Sequence, residues 1–163
     1  LNGNVDYEKT SLLYMISANA KAVASFAGEK YAIFQKGFNM AEDYAREHGF
    51  RLVNTGGSVS TTALDVCICL GCRKVICLGL DLAYTGNRTH AEGTLSDDEI
   101  FETQDMPMVK SVSGNMIPTS LNLSCYHKWI EHRIADERRV EFVNVSDGAY
   151  IEGMKNVGTE AVR

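Results

Sequence analysis

The chain has 163 residues, of which 45% are hydrophobic and 23% are charged, a composition typical of a globular protein. This length corresponds to a single domain, residues 1–163, that needs no disulfide or metal to fold. The 16 Lys and Arg against 21 Asp and Glu give a net charge of −5, which argues against a general nucleic-acid-binding protein. A local site for one phosphate remains compatible with this charge.

The sequence gives two further expectations, on location and on completeness. No apolar run reaches the length of about 18 residues that a membrane span needs, and no signal segment opens the sequence. We therefore expect a cytoplasmic protein. The chain begins at Leu1 rather than Met, so we also expect it to be a fragment of a longer protein.

Apolar runs alternate with helical patterns along the chain. The predicted elements, in order, are a strand at 11–16, a helix at 19–26, a strand at 30–35, a helix at 39–47, a strand at 51–54, a helix at 58–70, a strand at 74–80, a strand pair at 109–117, a helix at 119–136 and a strand at 140–145. The strand at 74–80 is apolar throughout, which is typical of a central parallel strand. The alternation predicts an α/β fold with a mainly parallel sheet flanked by helices.

Five cysteines allow two interpretations: Cys67, Cys69, Cys72, Cys77 and Cys125. The spacing C-x-C-x-x-C suggests a metal cluster, but on a helix the first of these residues points away from the other two. The alternative is a set of small thiols packed in a reducing compartment. We favour packed thiols and expect no metal site here.

The predicted strand at 51–54 ends in a turn with an unusual composition. Asn54 precedes Gly56 and Gly57, and the helix that follows begins with hydroxyl residues, among them Ser58, Ser60 and Thr61. Glycines allow a close backbone approach, and a helix N-terminus offers free N–H groups and a partial positive charge. The turn therefore suggests a phosphate site, although an ordinary helix capped by Ser58 or Ser60 fits the same residues.

The exit of the strand at 74–80 carries a second set of candidate residues. Asp81 suits a sugar hydroxyl, a ribose or a metal, or else caps the following loop. His90 suits a general base, because the ordinary pKa of histidine, about 6.5, lies near working pH. Arg88 suits a phosphate or carboxylate. For His90 and Arg88 the alternative is a solvated loop residue.

The exit of the last predicted strand adds Asn144, Ser146 and Asp147. In open α/β sheets, ligands bind beyond the carboxyl ends of the strands, so these residues are candidates to line the same cleft. An ordinary turn explains them equally well.

Three stretches of the sequence resemble one family: GGSVSTTALD at 56–65, LGC at 70–72 and GLDLAYTGNRTHA at 79–91. They resemble the central domain of the motility accessory factors (Maf), which are flagellin glycosyltransferases. The same superfamily contains the 6-hydroxymethylpterin diphosphokinase (MptE-like) proteins, and the layout is similar to that of sialyltransferases. The resemblance extends over about residues 50–153, and its specific part is 56–91.

The resemblance implies a Rossmann-like, sialyltransferase-like α/β fold and a glycosyltransferase activity. The donor would be a CMP-activated sialic-acid-like sugar, and the acceptor a hydroxyl of flagellin or another protein. His90 would be the base and Asp81 would act beside it. The phosphate or nucleotide would contact Asn54, Gly56, Gly57, Ser58, Ser60 and Thr61. The substrate would contact Tyr84, Thr85, Arg88 and Asn144.

Two alternatives accompany this interpretation. The first is ATP-dependent pyrophosphoryl transfer to a hydroxymethylpterin, which would use Mg²⁺, whereas the glycosyltransferase interpretation requires no metal. The second is a non-catalytic nucleotide-binding or scaffolding domain. Leu80 stands where many relatives have Gln, and no Gly-Pro-Ser-Leu loop precedes the glycine turn. We expect no nucleic-acid partner and no membrane span. The sequence is compatible with a homo-oligomer.

Overall fold

The structure is a computed structural model that describes residues 5–87 and 105–162. Within it the chain forms two compact units, Leu1–Thr55 and Gly56–Arg163, called here the first and second units. The assignment of residues 1–163 to one domain stays a prediction.

The first unit is a parallel sheet with two helices between its strands. Its elements are β1 (Leu12–Met15), α1 (Ala20–Ser25), β2 (Lys30–Gln35), α2 (Asn39–His48) and β3 (Leu52–Val53). The strands pair in the order β1–β2–β3. The Asn19 side chain accepts hydrogen bonds from the first turn of α1, and Gly49 ends α2 in the left-handed conformation that glycine adopts without strain.

The second unit contains a parallel sheet, a hairpin and two longer helices. Its elements are α3 (Val59–Cys69), β4 (Lys74–Leu78), β5 (Met108–Lys110), β6 (Met116–Pro118), α4 (Leu121–Ala135), β7 (Glu141–Val145) and β8 (Lys155–Val157), with short 3₁₀ turns at Thr85–Asn87 and Thr159–Val162. The parallel strands pair in the order β4–β7–β8, and β5 pairs antiparallel with β6.

The core of the second unit lies between its sheet and its two long helices. Helix α3 contributes Leu64 and Ile68, and α4 contributes Ile130 and Ile134. The remaining buried members are Val75, Leu82, Ala83, Phe142, Ala149, Ile151 and Met154. One face of α4 therefore packs against this core.

The fold class predicted from the sequence is confirmed at the level of a mixed α/β protein with parallel sheets flanked by helices. The prediction of a central position for the strand at 74–80 is wrong: in the described part of the sheet, β4 pairs with β7 alone and forms an edge. Accordingly, Ile76 and Leu78 are exposed. No element was predicted at β8, whereas the structure pairs it with β7. The Rossmann-like and sialyltransferase-like assignments stay predictions.

Three of the cysteines, Cys67, Cys72 and Cys77, lie partly buried against the core of the second unit, as expected of packed thiols. Burial raises the pKa of the Cys67 and Cys77 thiols, which favours their neutral form. Cys125 is exposed. Within residues 5–87 and 105–162, no group of three or more His, Cys, Asp or Glu side chains is arranged to hold a metal ion. In the same ranges, no helix has the length and apolar character needed to cross a membrane.

Candidate functional site

The glycine turn before α3 packs directly against α4. A Cβ atom at Gly56 would lie 2.5 Å from Cδ2 of Trp129, which leaves no room for a side chain. Gly57 has a φ of +91°, and a Cβ atom there would lie 3.2 Å from Cε1 of Tyr126. The two glycines therefore let the turn approach the aromatic residues of α4.

The start of α3 is closed by a capping box. Ser58 is the N-cap: its Oγ accepts from the Thr61 amide at 3.2 Å. The Thr61 Oγ1 accepts from the Gly56 and Ser58 amides at 3.0 and 3.2 Å and donates to the Ser58 carbonyl at 2.7 Å. Thr61 is fully buried. Three of the amides near the predicted phosphate site thus have internal acceptors, and Thr61 shapes the turn from inside.

The outer side of the turn consists of Gly57, Val59 and Ser60, which are all exposed. Val59 and Ser60 are the first two residues of α3, and the first i to i−4 hydrogen bond at this end runs from the Thr62 amide to the Ser58 carbonyl. The amides of Val59 and Ser60 precede it and have no acceptor within the helix. This outer side is where an anion could approach the N-terminus of α3.

Asp81 follows β4 and is held by the loop after β7. Its Oδ1 accepts a hydrogen bond from the hydroxyl of Ser146, and its carbonyl accepts from the Ala149 amide at 2.7 Å. A Cβ atom at Gly148 would lie 2.3 Å from the Asp81 carbonyl oxygen, so this position requires glycine. The structure thus brings together the exits of β4 and β7.

The glycine turn before α3 and Asp81 after β4 lie at the same end of the second unit. Only residues 70–73 join α3 to β4. A helix joined to a strand by so short a loop packs antiparallel to that strand in α/β units, which puts the start of α3 at the carboxyl end of β4. The glycine turn and the segment after β4 also both contact the chain around the start of α4: Gly57 lies against Tyr126, and the Leu82 carbonyl accepts from Thr119 Oγ1 at 2.8 Å. Tyr126 lies in the second turn of α4, and Thr119 directly precedes its N-cap, Ser120, so both contacts are near the start of this helix.

Asn144 is fully buried, although the sequence suggests it as a substrate contact. Its Nδ2 donates to the Asn156 Oδ1 at 3.3 Å and to the Ala149 carbonyl at 3.5 Å. Its Oδ1 is buried without a hydrogen-bond partner in the part of the chain that the structure describes. In this position Asn144 supports the segment after β7, and a substrate contact stays a prediction.

The other predicted site residues fall in three groups. Tyr84 is half-buried and its amide donates to the Pro118 carbonyl at 2.8 Å, while Thr85 is exposed. Asn54 is half-buried and belongs to the first unit. Arg88 and His90 lie outside the described residues, so their roles stay predictions.

An ion pair that the sequence did not indicate joins α3 to α4. Asp65 is fully buried, and its Oδ1 accepts a hydrogen bond from Nε of Arg133, whose side chain is 22% exposed. The Asp65 Oδ2 accepts a weak hydrogen bond from the Cys69 thiol. The pair fixes the two helices that carry the glycine turn and its aromatic neighbours.

Comparison with known proteins gives one family. The sequence model of the family described as "6-hydroxymethylpterin diphosphokinase MptE-like" matches residues 2–87, more than half of the chain. The match includes the glycine turn, α3, β4 and Asp81.

One curated relative is an uncharacterized protein of Treponema pallidum (strain Nichols). It is 43% identical over 47 residues, which are 29% of this chain and 12% of that protein. The chain therefore spans a small part of the length of that relative. No solved structure matches the chain.

Proposed function

Because the chain belongs to the 6-hydroxymethylpterin diphosphokinase MptE-like family, we propose that it is a transferase domain that binds a nucleoside-phosphate donor at the start of α3. The observation that carries this proposal is the exposed outer side of the glycine turn, formed by Gly57, Val59 and Ser60, at the same end of the unit as Asp81. The amides at the helix start would hold the phosphate, and the Ser60 hydroxyl would add a donor. Gly56 and Thr61 would shape the turn.

The reaction that we place first is pyrophosphoryl transfer from ATP to the hydroxymethyl group of a pterin, the activity in the name of the family. The hydroxyl oxygen forms a bond to the β-phosphorus, the bond from that phosphorus to the α,β-bridging oxygen breaks, and AMP leaves. The hydroxyl proton passes to a base, for which His90 stays the predicted candidate. Amides at the start of α3 would stabilise the negative charge that develops on the leaving phosphate.

Magnesium would enter this reaction with ATP. Mg²⁺ keeps several waters and commonly takes one or two carboxylates together with substrate phosphates, so a single carboxylate at this exit fits its needs. Asp81 is half-buried, and one of its oxygens is held by Ser146. We propose that the other oxygen faces the nucleotide-bound ion, whose role would be to neutralise phosphate charge.

A second candidate reaction is favoured by the resemblance of residues 56–91 to the Maf glycosyltransferases. Here the acceptor hydroxyl oxygen, on a protein such as flagellin, bonds to the anomeric carbon of a CMP-activated sialic-acid-like sugar. The bond from that carbon to the phosphate oxygen breaks, CMP leaves, and the hydroxyl proton passes to the base. The same helix start would hold the leaving phosphate in both reactions.

The test is a thermal-shift panel with ATP and Mg²⁺, CMP, and hydroxymethylpterin. We expect a rise in melting temperature with ATP and Mg²⁺, since a ligand at 100 times its Kd stabilises a protein by about 2.7 kcal/mol. Stabilisation by CMP and not by ATP would favour glycosyl transfer. If no nucleotide stabilises the chain at millimolar concentration, the proposal is wrong and a non-catalytic scaffolding domain takes its place.

A matched pair of glycine variants tests the location of the site. Gly57→Ala should abolish the nucleotide-induced shift, because a methyl group at a φ of +91° beside Tyr126 moves the turn. Gly114→Ala is the control: Gly114 has a φ of +92° in the β5–β6 hairpin, with nothing within 4 Å of its Cβ position. This variant should lower the melting temperature through backbone strain alone and should keep the rise in melting temperature that nucleotide causes. Equal responses from the two variants would place the ligand elsewhere.

A further inference from the structure

The side chain of Asp81 is oriented by a residue 65 positions later in the chain. Ser146 is fully buried, and its hydroxyl has two partners. The Gly148 amide donates to Ser146 Oγ at 2.9 Å. An amide N–H can only donate, so the Ser146 oxygen accepts there and its own proton points to the Asp81 Oδ1.

The Asp81 backbone is fixed by the same segment. The Ala149 amide donates to its carbonyl at 2.7 Å, and the backbone of Gly148 packs against it so closely that a Cβ atom would lie 2.4 Å from the Asp81 Cα. Within residues 5–87 and 105–162, the second carboxylate oxygen, Oδ2, has no hydrogen-bond partner. One oxygen is therefore held in place while the other is left for a ligand.

The geometry points to Ser146 as a positioning residue for Asp81 in the transfer reaction, an inference that rests on the proposed function. By fixing Oδ1, the buried hydroxyl determines where Oδ2 stands relative to the phosphates or their bound Mg²⁺. A hydrogen bond from a buried donor to a charged acceptor is among the stronger ones in proteins. Its removal should leave substrate binding at α3 intact and slow the chemical step.

The experiment measures kcat and KM for the full chain with ATP, Mg²⁺ and hydroxymethylpterin, or with the CMP-activated sugar if that is the donor found active. The variants are Ser146→Ala, Asp81→Asn and the double variant. Ser111→Ala is the matched control, because Ser111 is also a buried serine but its hydroxyl bonds to Ser113 at 2.9 Å rather than to Asp81. Melting temperatures are recorded for each protein.

Ser146→Ala should lower kcat about ten- to hundredfold and leave the KM for the nucleotide within about twofold. In the Asp81→Asn background the same substitution should have almost no further effect, since it acts through the Asp81 carboxylate. Ser111→Ala should keep the kcat of the wild type. If Ser146→Ala does not fold, Ser146→Cys, which fills the position with a slightly larger side chain and a weaker donor, should show the same split between kcat and KM.

Two results would overturn this role and differ in what else they overturn. In the first, the wild type is active, but Ser146→Ala leaves kcat unchanged or lowers it equally with and without Asp81→Asn. This result removes the role of Ser146 and leaves the proposed function standing. A wild type that transfers neither group removes the proposed function and, with it, the role of Ser146.

Discussion

The two units of the chain differ in how much apolar surface they bury. Of the seventeen buried apolar residues among those described, four belong to the first unit, and two of these are the alanines Ala41 and Ala45. The second unit buries larger side chains, including Ile130, Phe142 and Ile151. Because hydrophobic stabilisation grows with the apolar area removed from water, most of it resides in the second unit. The glycine turn and Asp81 are built on this better-packed unit.

The first unit relies instead on aromatic contacts near its surface. Phe34 on β2 stacks on Tyr44 of α2 and on Phe50, with ring centroids 5.3 and 5.4 Å apart, and Tyr44 stacks on His48 at 4.0 Å. Tyr44 and Phe50 remain about half exposed. Aromatic pairs contribute about 0.5–1.5 kcal/mol each beyond their buried area. These contacts therefore supply only part of the stabilisation that a larger buried core would give.

The largest effect should come from the buried ion pair of the second unit. Arg133→Met removes the guanidinium beside the fully buried Asp65 carboxylate and should lower the free energy of unfolding by about 3–5 kcal/mol. Urea denaturation measures it. Arg139→Met is the control, because Arg139 pairs with Glu137 at 3.2 Å but its side chain is 87% exposed, so the loss of this solvent-screened pair should change the free energy of unfolding far less. Equal losses would contradict the importance of the buried pair.

A pair of core and surface truncations compares the two units directly. Ile130→Ala empties a fully buried position of the second unit and should cost about 2–5 kcal/mol. Leu13→Ala, at a position 45% exposed in β1 of the first unit, should cost about 0.5 kcal/mol. Both are measured by urea denaturation. If Leu13→Ala costs as much as Ile130→Ala, the contrast in packing between the units is wrong.

The smallest effect concerns the cysteines, all five of which lie in the second unit. Burial raises the pKa of the Cys67 and Cys77 thiols, so iodoacetamide at about pH 8 should alkylate the exposed Cys125 first. Since the fold favours the protonated thiols, their stabilisation is complete below the ordinary thiol pKa and is lost as the pH rises through the raised value. Mass spectrometry of the labelled peptides measures the order.

Labelling in urea then sharpens the comparison of the units. If the first unit unfolds at a lower urea concentration, part of the far-ultraviolet circular dichroism signal should be lost while Cys67 and Cys77 stay protected. Labelling of these two thiols in step with the first loss of signal would show that the units unfold together.

Local patterns predicted most of the secondary structure. Strand β2 was predicted with its observed bounds, and α3 and α4 within one or two residues at each end, because helix caps and apolar runs are local signals. The edge position of β4 was not predictable, since an apolar strand sequence does not reveal which neighbours pair with it. Strand β8 was missed because three residues, Lys155–Val157, carry too little pattern and become a strand through pairing with β7.

The candidate site was predictable in outline but not in its contacts. The turn at Gly56 and Gly57 stood out by composition, and Ser58 was one of two suggested caps, but the inward position of Thr61 follows from its three hydrogen-bond partners at the turn. The spacing of Ser58 and Thr61, which matches the positions of a capping box, was the available signal. The hydrogen bond from Ser146 to Asp81 spans 65 residues, and local reasoning cannot assign such a pair.

Because Gly148 packs so closely against Asp81, the Asp81 part of the candidate site depends on the segment after β7. The glycine turn does not, which matters for protein engineering. A version of the protein shortened to end after β7 would retain the glycine turn on α3 and its aromatic neighbours on α4, yet it would lose Ser146, Gly148 and Ala149. Such a version would keep the helix start proposed to bind phosphate, while Asp81 lost its support. Transplanting the site into another scaffold would therefore require both distant segments of the chain.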